Sequence, residues 1–475
     1  MSPDEDAPVL DIDLEVDPTQ REGLYKQVVA HEVQPALGCT EPGAVAYAAS
    51  IVADMLTIDG ERPSLDDLKQ ILVTVDPGTL KNAAGVAIPG VKNGKGLAIA
   101  AALGFIQGEP SKVLQSLSGV TDEGVAQAIG AKNKVKVAKS EDRDFLVKIE
   151  VEMNDGRRAE VVLQGGHTNV VSKRLNGDTF ASDSSIGTKK DAVTGPKSYE
   201  EILRACKISD LIAMAGSVDE EDRAYLREGF EMNQRVMREG LGLQAAGTLR
   251  TGIDNGVFAN CIAARVKMGA VAAADARMNG IPLPAMSSGG SGNQGFVAAL
   301  VPYLYGKERG IDDRIIEEAV ALSHLINAYA KVFTGKLAPV CGCSVAAGLG
   351  AAAAIAYMHD KSPEVIGRAI DYVAGAISGM TCDGAKGSCA LKVGVSVETA
   401  IQAAIAAVYS PEYELRRQGL VGHTPEETIQ NLGRFVTIGM READEVILGA
   451  IAVNLAERFC AAASVDKLVR VSSIN

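Results

Sequence analysis

Tryptophan is absent from the 475-residue sequence, and aromatic side chains make up only 4% of it. Basic residues are fewer than acidic ones, 47 against 60, which gives a net charge of −13 at pH 7. A protein without a basic surplus lacks the charge that binds nucleic acid phosphates, so nucleic acid is not an expected partner. Hydrophobic residues still account for 47% of the chain, which is enough for packed domains and excludes a disordered or collagen-like protein.

No apolar run reaches the roughly 20 residues that a membrane span requires. The most apolar stretch runs from Cys343 to Met358 and consists mainly of alanine and glycine. Residues 1–19 are acidic and lack the charged-then-apolar order of a secretory signal, so we expect a disordered acidic tail there. These features predict a cytoplasmic protein without a membrane partner.

The order of hydrophobic patterns predicts an α+β fold. Between Val135 and Phe180 apolar and polar residues alternate, which is typical of half-buried strands, and Asn154 to Gly156 is a hairpin turn signal. We therefore expect an N-terminal α+β domain, residues 20–196, that contains an antiparallel sheet. Beyond a connection rich in Gly, Ser and Asp, residues 197–475 show helical periodicity without any recurring strand pattern, and one helix is expected over Glu200 to Gly240.

Four of the eight cysteines are concentrated in this predominantly helical second domain. Cys341 and Cys343 come first, and Cys382 and Cys389 follow about forty residues later, flanked by glycines. Disulfides are not expected in an intracellular chain, whereas thiolates near helix starts can bind zinc or an iron–sulfur cluster. The segment has no Cys-x-x-Cys pair and no histidine nearby, so a cluster is favoured over zinc. Any single cysteine could instead be a small buried hydrophobic residue.

Two further segments combine glycine with polar side chains. The run from Ser287 to Gly295 precedes an apolar helix, and its hydroxyls, amides and backbone N–H groups suit a carboxylate or a phosphate. Its candidate binding residues are Ser287, Ser288, Ser291, Asn293 and Gln294. The second segment follows a predicted strand and supplies His167, Thr168 and Asn169. A plain turn or linker is the alternative for the first segment, and an ordinary structural histidine is the alternative for the second.

Cys39 stands alone, directly before a predicted helix. The positive end of a helix lowers the pKa of a thiol, which would make Cys39 a thiolate able to act as a base or a nucleophile. An inert cysteine beside a helix cap is the alternative for this position.

Taken together, these segments resemble the L-cysteine desulfidase family, which is related to the iron–sulfur L-serine dehydratases. The resemblance covers nearly the whole chain after residue 20. Its six ordered matches are Glu32 to Pro42, Asn82 to Gly104, Gly165 to Asn169, Ser291 to Gly295, Cys341 to Gly348 and Cys382 to Lys392. The resemblance implies a β-elimination without pyridoxal phosphate, in which a small amino-acid substrate, L-cysteine, yields sulfide, ammonia and pyruvate.

The resemblance also implies a [4Fe–4S] cluster held by three cysteines. Two of them are Cys382 and Cys389, and the third is Cys341 or Cys343. We choose Cys343 because Gly348 follows it after five residues, as a glycine follows the corresponding dehydratase cysteine, and Cys341 stays open. An iron without a protein ligand would bind the leaving group, and Cys39 would be the base that removes the α-proton. A homodimer is left open.

Three other functions are weighed against this one. An iron–sulfur L-serine dehydratase would use the same cluster with a hydroxyl as the leaving group. A pyridoxal phosphate lyase is suggested by Ser291 to Gly295, but the chain has no tetraglycine phosphate loop and no lysine that stands out as a Schiff base. A non-enzymatic iron–sulfur redox sensor would show no turnover and would not need the polar run from Ser287 to Gln294.

Overall fold

The computed structural model of the protein describes residues 23–91, 94–141, 143–180, 198–413, 415 and 418–454. The predicted acidic tail and the predicted domain boundary at residue 196 lie outside these residues. The division into residues 20–196 and 197–475 therefore stays a prediction.

The first part of the chain combines helices with a sheet. Its helices are α1 (Leu24–Glu32), α2 (Thr40–Leu56), α3 (Pro77–Ala83), α4 (Leu97–Gln107) and α5 (Asp122–Gly130). Its strands are β1 (Pro35–Leu37), β2 (Leu68–Val75), β3 (Val135–Lys139), β4 (Leu146–Met153), β5 (Arg158–Gln164), β6 (Val170–Leu175) and β7 (Asp178–Phe180). Short 3₁₀ turns cover Pro110–Gln115 and Lys132–Lys134.

The main sheet has the strand order β3-β2-β4-β5-β6-β7. The alternation predicted between Val135 and Phe180 is confirmed, because every second residue of β4 is buried and this face packs against α2. Strands β4 to β7 pair antiparallel as predicted, but the prediction is wrong for β3, which pairs in parallel with β2 at one edge. Parallel neighbours need a crossover connection, and the helices α3, α4 and α5 supply it here.

The second part of the chain is built from helices. They are α6 (Tyr199–Arg204), α7 (Ile208–Gly216), α8 (Glu220–Gly240), α9 (Gln244–Asp254), α10 (Ile262–Met278), α11 (Gly292–Gly295), α12 (Val301–Arg309), α13 (Asp313–Thr334), α14 (Ala346–His359), α15 (Pro363–Ile377), α16 (Ser388–Tyr409) and α17 (Pro425–Arg434). The π-helical turns Phe296–Leu300 and Phe435–Gly439 follow α11 and α17, and residues 443–454 are also helical. The alanine-rich α14 is buried along nearly its whole length against α13, α15 and α16, where small side chains let helices approach closely.

Two sequence predictions for this part are corrected. The helix expected over Glu200 to Gly240 is three helices, because the chain restarts α8 at a capping box in which Asp219 accepts from the backbone N–H of Asp222 at 2.9 Å. A strand also recurs, since β8 (Pro284–Met286) pairs antiparallel with β1. Three residues are too few to show a period of two in the sequence.

The two parts share more than this strand pair. Leu24, Tyr25 and Val28 of α1 belong to the hydrophobic core of the helical part, whereas α2 and α4 form a separate core with the main sheet. The fold class predicted from the sequence, α+β with a mostly helical C-terminal part, is confirmed.

Within the described residues, α16 is the one helix whose length and composition would allow it to cross a membrane. Its apolar face packs against α10, α14 and α15, as the face of a core helix does. The expected absence of membrane partners stays a prediction.

Candidate active site

Cys39 lies directly before α2, in a segment held by close packing. The preceding Gly38 has a left-handed φ of +67°, and a Cβ there would lie 2.2 Å from Pro89 Cγ. Glycine meets both conditions because it has no Cβ. Cys39 itself is buried, with 4% of its surface exposed.

The thiol of Cys39 is paired with a carboxylate. It donates a hydrogen bond to Glu41 Oε2 at 2.7 Å, and Asn82 Nδ2 donates to Glu41 Oε1 at 2.9 Å. Burial and the charge of Glu41 raise the pKa of Cys39 well above its ordinary value, against a lowering effect of Arg277. Burial alone would raise the pKa of Glu41, but His167 and the two hydrogen bonds lower it. The lower thiol pKa expected from the helix end is therefore wrong, whereas the proposed role of Cys39 stays a prediction.

His167 reaches the same region from the turn after β5. Its ring is buried and faces Gly290, where a Cβ would come within 3.3 Å of the ring. Burial lowers the pKa of His167, and its Nε2 has no hydrogen-bond partner among the described residues. Asn169 instead donates to Gln164 O at 3.0 Å within its own turn, and Thr168 is half-buried there. Of these three candidates, the structure brings His167 to the site.

The run from Ser287 to Gln294 forms a polar turn that starts after β8 and includes the first three residues of α11. Ser288 and Ser291 exchange two backbone hydrogen bonds of 3.1 Å. Between them, Gly289 and Gly290 adopt left-handed φ angles of +55° and +76°. Side chains with a Cβ rarely adopt these angles, so the two glycines allow the turn to close.

The two leading serines of this turn have different surroundings. Ser287 Oγ accepts from the backbone N–H of Gln34 at 3.0 Å and so holds the turn to the β1 segment. Ser288 Oγ lies 2.9 Å from His324 Nδ1 and accepts from Asn327 Nδ2 at 2.8 Å, both on α13. Burial lowers the pKa of His324 to about 4, so its ring is neutral at pH 7.

Asn293 and Gln294 are buried at the end of the turn and have unused acceptors. Neither Asn293 Oδ1 nor Gln294 Oε1 has a hydrogen-bond partner among the described residues. The Gln294 amide lies against Gly342, where a Cβ would be 2.9 Å from Nε2. The polar turn therefore adjoins the first pair of clustered cysteines.

Backbone pairing brings the clustered cysteines together. The N–H of Cys341 donates to Met380 O, and the N–H of Cys382 donates to Pro339 O, both at 2.7 Å. Cys389 lies in the first turn of α16, at the end of the same loop as Cys382. Two segments that are distant in sequence thus place their thiols in one region.

The four thiols interact with one another. Cys343 donates a hydrogen bond to Cys341, which lowers the pKa of Cys341 and raises that of Cys343. Burial raises the pKa of Cys382, and it raises that of Cys389 to about 11. The charge of Cys341 contributes to the raised pKa of both Cys382 and Cys389. Accumulating negative charge on this set is unfavourable unless cations compensate for it.

Three lysines supply such cations. Lys81 is buried and forms a 2.6 Å ion pair with Asp444. Together with Lys392 it opposes the rise that burial causes in the pKa of Cys382. Lys331 Nζ is also buried and donates to a backbone carbonyl at 2.6 Å. Burial lowers the pKa of Lys331 to about 8, while the charge of Cys382 opposes this shift. The cysteine set therefore lies among positive charges.

Comparison with known proteins assigns a family to this arrangement. The family model described as serine dehydratase alpha chain matches residues 160–449, which is more than half of the chain and includes the clustered cysteines. The chain belongs to the serine dehydratase alpha chain family. This family is typically iron–sulfur dependent, which agrees with the resemblance to iron–sulfur dehydratases stated from the sequence. The match does not single out L-cysteine desulfidase.

Relatives of this family member include UPF0597 proteins from several bacteria. One from Geobacter sulfurreducens is 40% identical over 430 residues, which cover 90% of this chain and 97% of the relative. One from Elusimicrobium minutum is 38% identical over 431 residues, covering 90% and 98%. Another, from Caldanaerobacter subterraneus, is 38% identical over 437 residues, covering 90% and 97%.

The donor set of this serine dehydratase-like protein fits an iron–sulfur cluster. Among the described residues, no three His, Cys, Asp or Glu side chains are grouped to hold a single metal ion. A [4Fe–4S] cluster takes thiolates at separate corners, so its ligands stand farther apart than those of one ion. The two cysteine segments, which are joined by backbone hydrogen bonds, offer soft thiolate donors. Nearby lysines compensate the negative charge of these thiolates.

Sequence reasoning missed several side chains at this site. His324, Asn327 and Lys331 lie on one face of α13, and their spacing of three and four residues within an apolar helix is a pattern that could have indicated them. Glu41 and Arg277 give no such signal. An acid in a first turn and a base in a last turn are ordinary partners of the helix dipole.

Proposed function

We propose that this protein is an iron–sulfur-dependent lyase that converts L-cysteine to sulfide, ammonia and pyruvate without pyridoxal phosphate. One packing arrangement carries the proposal. Cys39 forms a small buried cluster with Val86 and Met278, and Cys389 packs against this cluster. The proposed base and a proposed cluster ligand therefore border the same small cluster, although 350 positions separate them in the chain.

Cys343, Cys382 and Cys389 would hold the [4Fe–4S] cluster, with Cys341 as the alternative to Cys343. When bound, the cluster would supply a Lewis-acidic iron for the leaving group. The substrate would lie between these cysteines and the polar turn from Ser287 to Gln294. The buried oxygens Asn293 Oδ1 and Gln294 Oε1 of this turn have no partner among the described residues and could accept hydrogen bonds from it.

The residues of the chain provide the proton chemistry. In the thiol form of Cys39, the 2.7 Å hydrogen bond to Glu41 holds the sulfur in place. Loss of the thiol proton to solvent gives the thiolate, which takes the α-proton. The electron pair of the C–H bond forms the double bond of aminoacrylate as the bond from the β-carbon to sulfur breaks. Aminoacrylate becomes an imine, and water converts it to pyruvate and ammonia. Exclusion of bulk water by the buried site favours proton transfer to Cys39 over side reactions.

L-serine dehydration is the second candidate, and the family description favours it. L-cysteine and L-serine carry their leaving groups on the same β-carbon, so the same residues would serve either substrate. The test is anaerobic purification, quantification of iron and sulfide, and parallel pyruvate assays with L-cysteine and L-serine. We expect the higher kcat/KM with L-cysteine. A higher value with L-serine would make the protein a dehydratase, and no pyruvate from either would overturn both proposals.

The third ligand is decided by the iron content of Cys341→Ala and Cys343→Ala. We expect Cys343→Ala to lose the cluster and Cys341→Ala to retain it, and the reverse would exchange their roles. The proposed partner is a small amino acid, and a cytoplasmic location and a homodimer stay predictions.

A further inference from the structure

Arg277 is a buried cation with unused hydrogen-bond donors. It lies in the last turn of α10 and is 4% exposed. Its Nε and Nη2 are buried and have no hydrogen-bond partner among the described residues. A guanidinium stays charged at all physiological pH values, and a buried charge without a partner is costly. An anion is therefore expected to bind here.

Missing partners are not a general property of buried arginines in this chain. Arg223 is similarly buried, with 8% of its surface exposed, but it donates to Glu317 at 3.0 Å and to Glu318 at 3.2 Å. The difference between the paired Arg223 and the unpaired Arg277 indicates that a ligand binds the free donors of Arg277.

The position of Arg277 links it to the candidate active site. Its guanidinium rests on Gly292 at the end of the polar turn, where a Cβ would lie 2.5 Å from Nε. The next residue, Met278, packs in the small cluster that contains Cys39, and the charge of Arg277 acts to lower the pKa of that thiol. Arg277 thus adjoins the polar turn and lies next in the chain to a residue packed with the proposed base.

Three other unpaired atoms of this region are acceptors, unlike the donors of Arg277. Asn293 Oδ1, Gln294 Oε1 and Asn327 Oδ1 are buried amide oxygens without partners among the described residues. Gln294 and Asn327 both line Gly289, where a Cβ would lie 2.8 Å and 2.9 Å from their amide groups. A cationic donor beside several acceptors complements a ligand that carries both a carboxylate and an ammonium group.

We infer that Arg277 binds the α-carboxylate of the amino-acid substrate, while the buried amide oxygens of the polar turn and α13 accept from its α-ammonium group. This inference rests on the proposed function and adds to it the residue that recognises an α-amino acid as a class. A carboxylate held here would direct the α-carbon toward Cys39.

Binding of a non-reacting amino acid tests the inference apart from turnover. L-alanine has both α-groups but no leaving group, and its methyl ester lacks the carboxylate charge. With anaerobically purified, cluster-loaded protein, we expect L-alanine to raise the thermal midpoint and the ester to have no such effect. In Arg277→Gln the dissociation constant of L-alanine and the KM for L-cysteine should rise about 10- to 100-fold, with iron content unchanged.

Arg265 is a matched control, because it is a half-buried arginine of the same helix that is already paired with Glu308 at 2.8 Å. Arg265→Gln should bind L-alanine like the wild type. An Arg277→Gln protein that binds L-alanine as tightly as the wild type, or still distinguishes the acid from the ester, would overturn the inference. If neither L-cysteine nor L-serine is converted but L-alanine binding depends on Arg277, the proposed reaction fails and the carboxylate site stands.

The unliganded stability of the variant separates a ligand site from a structural role. Removing an unpaired buried charge should leave the thermal midpoint of the amino-acid-free protein unchanged or raise it, whereas a structural arginine would lower it. Gly292→Ala provides a second variant, because its Cβ would displace the guanidinium without removing the charge. This variant should also weaken L-alanine binding, and unchanged binding would contradict the inference.

Discussion

Replacement of Cys39 by serine tests the proposed base most directly. Cys39 is not among the proposed cluster ligands, so Cys39→Ser should keep its full content of iron and sulfide. A hydroxyl is far too weakly basic to take the α-proton, and loss of a general base typically lowers the rate about 10²- to 10⁴-fold. This corresponds to about 3–5 kcal/mol of lost transition-state stabilisation. Cys261→Ser, at an exposed cysteine, is the matched control and should retain iron and activity.

The pH profile of the wild type carries the same test further. Burial and Glu41 raise the pKa of Cys39, so only a small fraction is thiolate at neutral pH. Activity should therefore increase about tenfold per pH unit across the neutral and mildly alkaline range. If Glu41 took the α-proton instead, its lowered pKa would make the profile flat there.

The variant Glu41→Gln tests whether the charge of Glu41 raises the pKa of Cys39. The substitution removes a negative charge that raises the pKa of Cys39, although the effect of burial persists. The rising part of the profile should therefore move to lower pH. The assay is pyruvate release at each pH, normalised to iron content. A Cys39→Ser protein with normal turnover, or a flat wild-type profile, would refute the assignment of Cys39 as the base.

Three further predictions concern the cluster, the substrate and the packing of the chain. Cys382→Ala should lose iron and sulfide, whereas Cys206→Ala, in the helical core, should retain both; equal iron contents after anaerobic preparation would contradict the ligand assignment. Asn293→Ala should raise KM by a factor equivalent to about 1.5–3 kcal/mol with the cluster intact, and unaltered kinetics would make the turn purely structural. Asp444→Asn leaves Lys81, whose side chain is 1% exposed, without its ion-pair partner, and should cost about 3 kcal/mol in a denaturation experiment; an unchanged midpoint would show that the pair adds nothing.

Local patterns in the sequence determined most of the secondary structure. Alternation of apolar and polar residues predicted the strands between Val135 and Phe180, because one face of the sheet is buried and the other is not. The same reasoning failed where a strand is very short or where consecutive helices continue one periodic pattern. The strand pair of β1 and β8 has three residues on each side, and a continuous helical pattern over Glu200 to Gly240 did not reveal the caps that divide it.

The sequence by itself also determined which segments carry the chemistry, since glycine turns, clustered thiols and polar runs are visible as residue types. Only the tertiary structure decided what those residues experience. The helix end before Thr40 predicted a lower thiol pKa for Cys39, but burial and Glu41 reverse it. Arg277 became notable only when the fold buried it without a partner. Charge and solvation depend on neighbours that are distant in the chain, and folding alone brings those neighbours together.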